Sequence, residues 1–140
     1  MTSLSFPDIN VWLALAASEH VHAKPARVWW GQQHGRIAFS RFSQLGFLRL
    51  ITTASTMDQR PLSLAEAWKV YDRFYDDDRV VWVAEPPQVE RFFRRNASAK
   101  TASPKIWSDA WLLAFAEAAG GTLITFDRAL KSRGARCLLA

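Results

Sequence analysis

Three aspartates stand at positions from which carboxylates can do metal chemistry. Asp8 ends a short apolar segment, Asp127 ends another, and Asp109 lies early in a long stretch of helical period. Carboxylates about 4 Å apart repel by ~4 kcal/mol at an effective dielectric near 20, so a cluster of them needs protons or a cation. Aspartate oxygens suit a small hard ion with ligands at ~2.0–2.1 Å, which favours Mg²⁺ or Mn²⁺. Each aspartate also has a structural interpretation, as a turn residue, a helix cap or a first-turn charge.

The elements that position these acids follow from the hydrophobic pattern, in which short apolar runs alternate with longer stretches of helical period. Ser63 and Glu66 form a capping box that begins one helix. The run 80–84 is almost wholly apolar, which is typical of a strand buried on both faces. Strands are predicted at 4–8, 36–40, 80–84, 122–126 and 136–139, the last of them at an edge of the sheet. Helices are predicted at 10–18, 25–33, near 44–51, 63–75 and 88–96, and Asn10 is the predicted cap of the first. A last long helix begins at Ser103-Pro104, or at Ser108, and ends at Gly120-Gly121.

Strands that alternate with helices imply right-handed crossovers and a mostly parallel central sheet covered on both faces. The fold class is therefore α/β, a three-layer α/β/α domain that spans residues 1–140. In such a sheet the working site lies outside the carboxyl ends of the strands. We therefore expect Asp8, Asp109 and Asp127 to meet at one rim.

Composition narrows the class of protein. A chain of 140 residues with 49% hydrophobic and 22% charged residues is typical of one globular domain. It has no apolar stretch long enough for a membrane span, and its start lacks the features of a secretory signal. The single cysteine, Cys137, excludes an internal disulfide and a cysteine-based zinc site. A cytoplasmic location is expected.

Basic residues favour a polyanionic partner. The net charge is +5, and thirteen of the eighteen basic residues are arginines, whose planar fork suits phosphate. One block of the chain carries five basic residues against a single acid, and it is a candidate to follow a nucleic-acid backbone. The alternative is a solvated helix face followed by a mobile loop. The block comprises Arg91, Arg94, Arg95, Lys100 and Lys105.

Four segments resemble the PIN-domain ribonucleases, especially the VapC-type toxins of toxin–antitoxin pairs. Phe6–Leu15 resembles the opening motif, Phe42–Thr52 the helix after the second strand, Ser108–Ala116 the central acidic helix and Thr122–Arg128 the closing strand end. The segments occur in the family's order and cover almost the whole chain. The resemblance implies a metal-dependent endoribonuclease that hydrolyses RNA phosphodiester bonds.

The resemblance also implies roles for single residues. Asp8, Asp109 and Asp127 are the metal-binding and catalytic acids, Thr125 orients the acidic loop, and Asn10 is a partner of Asp8. The implied cofactor is Mg²⁺ or Mn²⁺.

Gln44 departs from the family pattern, because many PIN domains carry a glutamate at this position. A neutral amide accepts a hydrogen bond or ligates through its oxygen without adding charge, which argues against a second tightly bound metal. Gln44 is otherwise an ordinary polar helix residue. This departure keeps a second function open, that of a catalytically silent PIN-like module that binds RNA or a protein.

The implied protein partners are a cognate antitoxin, which lays a segment over an apolar groove, and a second copy of the chain in a homodimer. The apolar side chains expected to form that groove, if exposed, are Trp12, Trp29, Trp30 and Phe47. Core packing is the competing interpretation for these side chains. It is the interpretation expected for most of the other four tryptophans, Trp68, Trp82, Trp107 and Trp111.

Overall fold

The structure, a computed structural model, describes residues 3–140; residues 1 and 2 of the predicted domain lie outside the described residues. Five strands form one sheet in the order β3-β2-β1-β4-β5, and every pair of neighbours is parallel. The strands are β1 (Leu4–Pro7), β2 (Arg36–Phe39), β3 (Val80–Trp82), β4 (Thr122–Thr125) and β5 (Arg136–Cys137). The helices are α1 (Ile9–Ala16), α2 (Ala23–Gln32), α3 (Arg41–Ile51), α4 (Leu64–Phe74), α5 (Val89–Asn96) and α6 (Ile106–Ala118), followed by a 3₁₀ segment at Arg128–Arg133.

Two hydrophobic cores lie on opposite faces of the sheet, because successive side chains of a strand point to opposite sides. On β2, Ile37 and Phe39 join the core under α1 to α4, while Ala38 joins the core under α5 and α6. Trp12 of α1 stacks on Phe39 with ring centroids 3.7 Å apart. The predicted three-layer α/β architecture is confirmed. No helix within residues 3–140 is both long and apolar enough to cross a bilayer.

The helix caps differ in part from those predicted. The capping box of Ser63 and Glu66 is confirmed. Asp8, not Asn10, caps α1, because β1 ends at Pro7 and the extended backbone of Asp8 presents its carboxylate to the first helical N–H. α6 begins after Lys105, so neither Ser103 nor Ser108 caps it.

The third strand was expected to be buried on both faces, and that expectation is wrong. β3 covers only residues 80–82 and forms one edge of the sheet, with β5 at the other edge as predicted. Val80 is buried, but the side chain of Trp82 is 40% exposed. Because β3 lies at the edge of the sheet and has a neighbouring strand on one side only, Trp82 is partly accessible to solvent.

For the first tryptophans of the chain the competing interpretation, core packing, is confirmed, whereas most of the later tryptophans are exposed. Trp12, Trp29 and Phe47 are buried in the first core, because α1 packs against the sheet, α2 and α3 at once. The expected groove is therefore not built from these three side chains. Three tryptophans expected to be buried lie on outer helix faces or on the edge strand, namely Trp68, Trp82 and Trp107, at 49%, 40% and 56% exposure.

Candidate active site

The candidate site lies at the carboxyl edge of the sheet. β1 and β4 are neighbours, with Pro7 paired to Ile124, so Asp8 and Thr125 follow at the same level. The backbone N–H of Asp8 continues the ladder by donating to the carbonyl of Ile124 at 2.8 Å. Parallel pairing thus brings together residues that are 117 positions apart in the chain.

Asp8 uses its two carboxylate oxygens differently. Oδ1 accepts from the backbone N–H of Ile9 at 2.7 Å, and Oδ2 accepts from the Thr125 hydroxyl at 3.3 Å. Burial raises the pKa of Asp8, and the charges of Asp109 and Asp127 raise it further, while the two hydrogen bonds lower it. Burial dominates, so the net shift is upward.

Thr125 connects two of the acids. Its side chain is 1% exposed, and its hydroxyl donates to Asp8 while accepting from the backbone N–H of Asp127 at 3.0 Å. Asp127 in turn caps the 3₁₀ segment, since its Oδ1 accepts from the N–H of Ala129 at 2.9 Å. One buried hydroxyl therefore sets the positions of both strand-end aspartates.

Asp109 lies in the first turn of α6 and is partly buried. Burial and the charge of Asp127 raise the pKa of Asp109, and the nearby cation of Arg133 lowers it; the net shift is upward. The charge of Asp127 acts on both other acids, but the three carboxylates do not form a close cluster. Within residues 3–140, no three His, Cys, Asp or Glu side chains come close enough together to hold a metal ion.

Asn10 is exposed on α1 and, in the described part of the chain, makes no hydrogen bond to Asp8. The expectation that Asn10 is the partner of Asp8 is therefore not met in the structure. Because Asp8 is the N-cap of α1, Asn10 is the second residue of the helix. Asp8 is held by Thr125 and by the N–H of Ile9 instead.

Gln44 is buried, at 7% exposure, and its Oε1 accepts from the Arg41 guanidinium at 2.6 Å. The side-chain amide of Gln44 therefore has a specific partner within α3. Arg41 was not predicted as a functional residue. Its spacing to Gln44 was an available signal, because side chains three apart meet on a helix surface.

The basic block is exposed but partly paired. Arg94 forms an ion pair with Glu90 at 2.9 Å, and Arg95 pairs with Glu117 of α6. Arg91 and Arg95 also lie over the ring of Phe92. These contacts reduce the charge that the helical part of the block presents, whereas Lys100 and Lys105 are exposed beyond it.

The loop between α5 and α6 leads from this block toward Asp109. A pocket beside it is lined by residues that include Asn96, Trp107 and Arg133. A smaller pocket is lined by Lys105 and Asp109 together. Lys105, the last residue of the basic block, therefore lies beside one of the three acids.

Comparison with solved structures supports the fold. The chain superposes on VapC20 of Mycobacterium tuberculosis, a sarcin–ricin-loop-cleaving toxin, with a TM-score of 0.62 and 13% identity over 94% of this chain and 95% of that one. It superposes on VapBC2 from Rickettsia felis, bound to a DNA fragment from its promoter, with a TM-score of 0.63 and 10% identity over 98% and 97% of the two chains.

Comparison at the sequence level is more specific. The PIN domain family model matches residues 5–135. Ribonuclease VapC41 of Mycobacterium tuberculosis is 41% identical over 133 residues, 91% of each chain. Ribonuclease VapC44 of the same organism is 31% identical over 132 residues, 88% of this chain and 85% of that one. The chain belongs to the PIN-domain family and, within it, to the VapC ribonucleases.

Proposed function

We propose that the protein is the toxin of a toxin–antitoxin pair and acts as a metal-dependent endoribonuclease. The observation that supports this most directly is the coupling of Asp8 to Asp127 through the buried Thr125 hydroxyl, with Asp109 near enough to raise the pKa of Asp8. Such coupling of carboxylates at one sheet edge suits a site for cation and phosphate chemistry.

Asp8, Asp109 and Asp127 are the proposed ligands of Mg²⁺ or Mn²⁺. Their chemistry fits, since the set consists of carboxylate oxygens and the repulsion among them is relieved by a divalent cation. To hold an ion, the carboxylates must come closer together than they stand. When bound, the ion polarises a phosphate oxygen and lowers the pKa of water toward ~7.

The chain's own residues have defined tasks in this reaction. Thr125 holds Oδ2 of Asp8 and the backbone of Asp127, so two acids face the substrate in fixed positions. The raised pKa of Asp8 and of Asp109 means that acid protonates them before ordinary aspartates. Activity should therefore fall as the pH drops. Water would attack the phosphorus in line with the P–O3′ bond, and cleavage of that bond, with proton transfer to the departing 3′ oxygen, would leave a 5′-phosphate and a 3′-hydroxyl.

RNA is the proposed substrate, and the basic block is its proposed contact surface. Lys100 and Lys105 are exposed, and Lys105 shares a pocket with Asp109. The proposed protein partners are a cognate antitoxin and a second copy of the chain, and the proposed location is the cytoplasm. The solved neighbour from Rickettsia felis is a VapBC2 assembly, which supports an antitoxin partner.

The test is cleavage of end-labelled RNA by the full-length protein. Wild type with Mg²⁺ or Mn²⁺ should produce fragments, whereas EDTA, Asp8→Asn or Asp109→Asn should abolish them without unfolding the protein. Asp58→Asn is the matched control, because Asp58 is exposed and has a positive φ that asparagine tolerates. Full activity in EDTA would refute the proposal. Mapping new 5′ ends of cellular RNA after brief expression of wild type and Asp8→Asn then identifies the substrate.

A second candidate function is a silent module that binds RNA or a protein. Two observations favour it: the acids stand apart in the described residues, and Gln44 brings no charge to the position where the family resemblance implies a glutamate. The same assay separates the candidates. A silent module would retain the labelled RNA under a metal titration and release no fragments.

A further inference from the structure

Arg41 and Trp82 lie on the same edge of the sheet as the acids. β1 and β2 pair with Ser5 beside Ile37, so the register, continued to the strand ends, sets Asp8 level with Ser40. Arg41 is the next residue. β3 is the following strand, with Trp82 paired to Phe39. Because neighbouring strands are ~4.8 Å apart, Trp82 sits about two strand spacings along the rim from Asp8.

The Arg41 guanidinium is held on two sides. Its carbon lies 4.7 Å from the ring centroid of Trp82, in cation–π geometry, and its NH1 donates to Oε1 of Gln44 at 2.6 Å. Gln44 is buried, whereas Arg41 and Trp82 are exposed. The buried amide therefore positions an exposed cation against an exposed aromatic ring.

A second arginine–tryptophan pair serves as a comparison, because its arginine has a purely structural role. Arg79 lies 4.7 Å from the ring of Trp30. Its guanidinium donates to Asp77 and to the carbonyls of Trp30 and Gln33, where α2 ends. The charge of Arg79 is thus neutralised, and its donors are largely used.

Arg41 differs on both counts. No carboxylate lies within 4.0 Å of Arg41 among residues 3–140, and Gln44 fixes the guanidinium without neutralising it. A guanidinium has five N–H donors, and one contact to Gln44 leaves most of them for a ligand. The ligand that matches a planar cation beside an aromatic face is a phosphate with its attached base.

We propose that Arg41 and Trp82 form a subsite for single-stranded RNA next to the scissile phosphate, with Gln44 as the positioning residue. Arg41 donates to a backbone phosphate, and Trp82 stacks on a base. This inference rests on the proposed function and names a place where its substrate is held. It also explains the amide at position 44, because a glutamate there would neutralise Arg41.

The test measures RNA binding without cleavage. A fluorescein-labelled single-stranded RNA is titrated, by anisotropy and at several salt concentrations, with the full-length Asp8→Asn protein in EDTA. Adding Arg41→Ala should raise Kd about tenfold, as expected for loss of a charged hydrogen bond to phosphate, and should lower the salt slope by ~0.7 for one phosphate contact. Arg36→Ala is the matched control, because Arg36 is exposed at the amino end of β2, opposite the carboxyl end after which Arg41 begins α3.

Further variants separate positioning from charge. Arg41→Lys should keep the salt slope and lose affinity. Trp82→Leu should lose affinity with the slope unchanged. Gln44→Glu should lower the slope as Arg41→Ala does, although the arginine is still present. Urea unfolding of each variant verifies that it folds. Arg41→Lys and Trp82→Leu replace exposed side chains, so their readouts do not require a substitution at the buried Gln44.

Each outcome decides the inference. If Arg41→Ala and Arg36→Ala match in Kd and slope, or if Arg41→Ala weakens only the binding of a cognate antitoxin, the subsite is refuted. If wild type cleaves RNA and Arg41→Ala binds RNA normally, the subsite fails and the nuclease function stands. If Arg41→Ala loses binding while wild type cleaves nothing, the subsite stands and the nuclease function fails.

Discussion

Replacing Thr125 by valine removes the hydroxyl that joins two of the acids while keeping the β-branched shape. The variant loses a hydrogen bond to Oδ2 of Asp8 and one from the N–H of Asp127. A hydrogen bond to a charged group contributes ~1.5–3 kcal/mol, and the 3.3 Å separation from Asp8 favours the low end, about 1.5 kcal/mol. Asp127 is exposed, so water replaces most of the second bond, and its loss costs ~0.5 kcal/mol.

We therefore expect Thr125→Val to lower the free energy of unfolding by about 2 kcal/mol at neutral pH. The cost should depend on pH, because the Thr125 hydroxyl lowers the pKa of Asp8. A bond that lowers a folded-state pKa stabilises the protein above that pKa and is lost as the pH falls through it. Charge-assisted bonds are about twice as strong as neutral ones, so the total cost should shrink to ~1 kcal/mol in acid.

The assay is urea unfolding in EDTA from neutral pH downward, with Thr125→Ser as the matched control. Serine keeps the hydroxyl and loses a buried methyl group, which costs about 1 kcal/mol at every pH. A Thr125→Val cost that stays constant with pH, parallel to that of Thr125→Ser, would refute the coupling between Thr125 and ionised Asp8.

Two further predictions concern stability. Because burial raises the pKa of Asp8, ionised Asp8 destabilises the fold once the pH rises through that pKa. The free energy of unfolding of Asp8→Asn minus that of wild type, measured in EDTA, should therefore be more favourable at neutral pH than below pH 3.8. Equal differences at the two pH values would contradict this. Arg79→Met should lower the free energy of unfolding by ~2 kcal/mol, since the carbonyls of Trp30 and Gln33 lose a charged donor. The exposed Arg73→Met is its control, expected within ~0.5 kcal/mol of wild type in urea, and similar losses in both would show that Arg79 has no bridging role.

The architecture was predictable because its signals are local and repeated. Alternating strands and helices imply parallel pairing, and parallel pairing is what brings Asp8 level with Thr125. The order of the strands in the sheet could not be predicted from these local signals. Nothing in the composition of 80–84 states that β3 is an edge strand, so Trp82 was expected in the core and is exposed.

The burial of the helices had a readable signal that was not used. α1, with the sequence INVWLALA, is apolar on nearly all sides, and a helix of that kind is buried. α4 is amphipathic, so a large side chain on its polar face is exposed, as Trp68 is. The first pattern favours core packing, the competing interpretation for Trp12, and the second favours exposure of Trp68, which was expected in the core.

The site itself was predictable only in outline. The strand-end positions of Asp8 and Asp127 follow from topology, whereas the cap formed by Asp8 depends on where β1 ends, within one residue. The contact between Arg41 and Trp82 joins two strand ends, and only the sheet order brings them together. Such contacts depend on tertiary structure that no local pattern contains.

The two oxygens of the Asp8 carboxylate make different contacts, and this limits which substitutions at position 8 remove the carboxylate without weakening the fold. Oδ1 closes the first turn of α1, and only Oδ2 is turned toward Thr125. Asparagine preserves a helix cap, while alanine forfeits ~1 kcal/mol of it. Alanine scanning at this position therefore confounds a chemical defect with a weakened scaffold. If Asp8 has the proposed catalytic role, a lineage that abandons catalysis should drift to asparagine or serine here, and position 8 would mark inactive descendants.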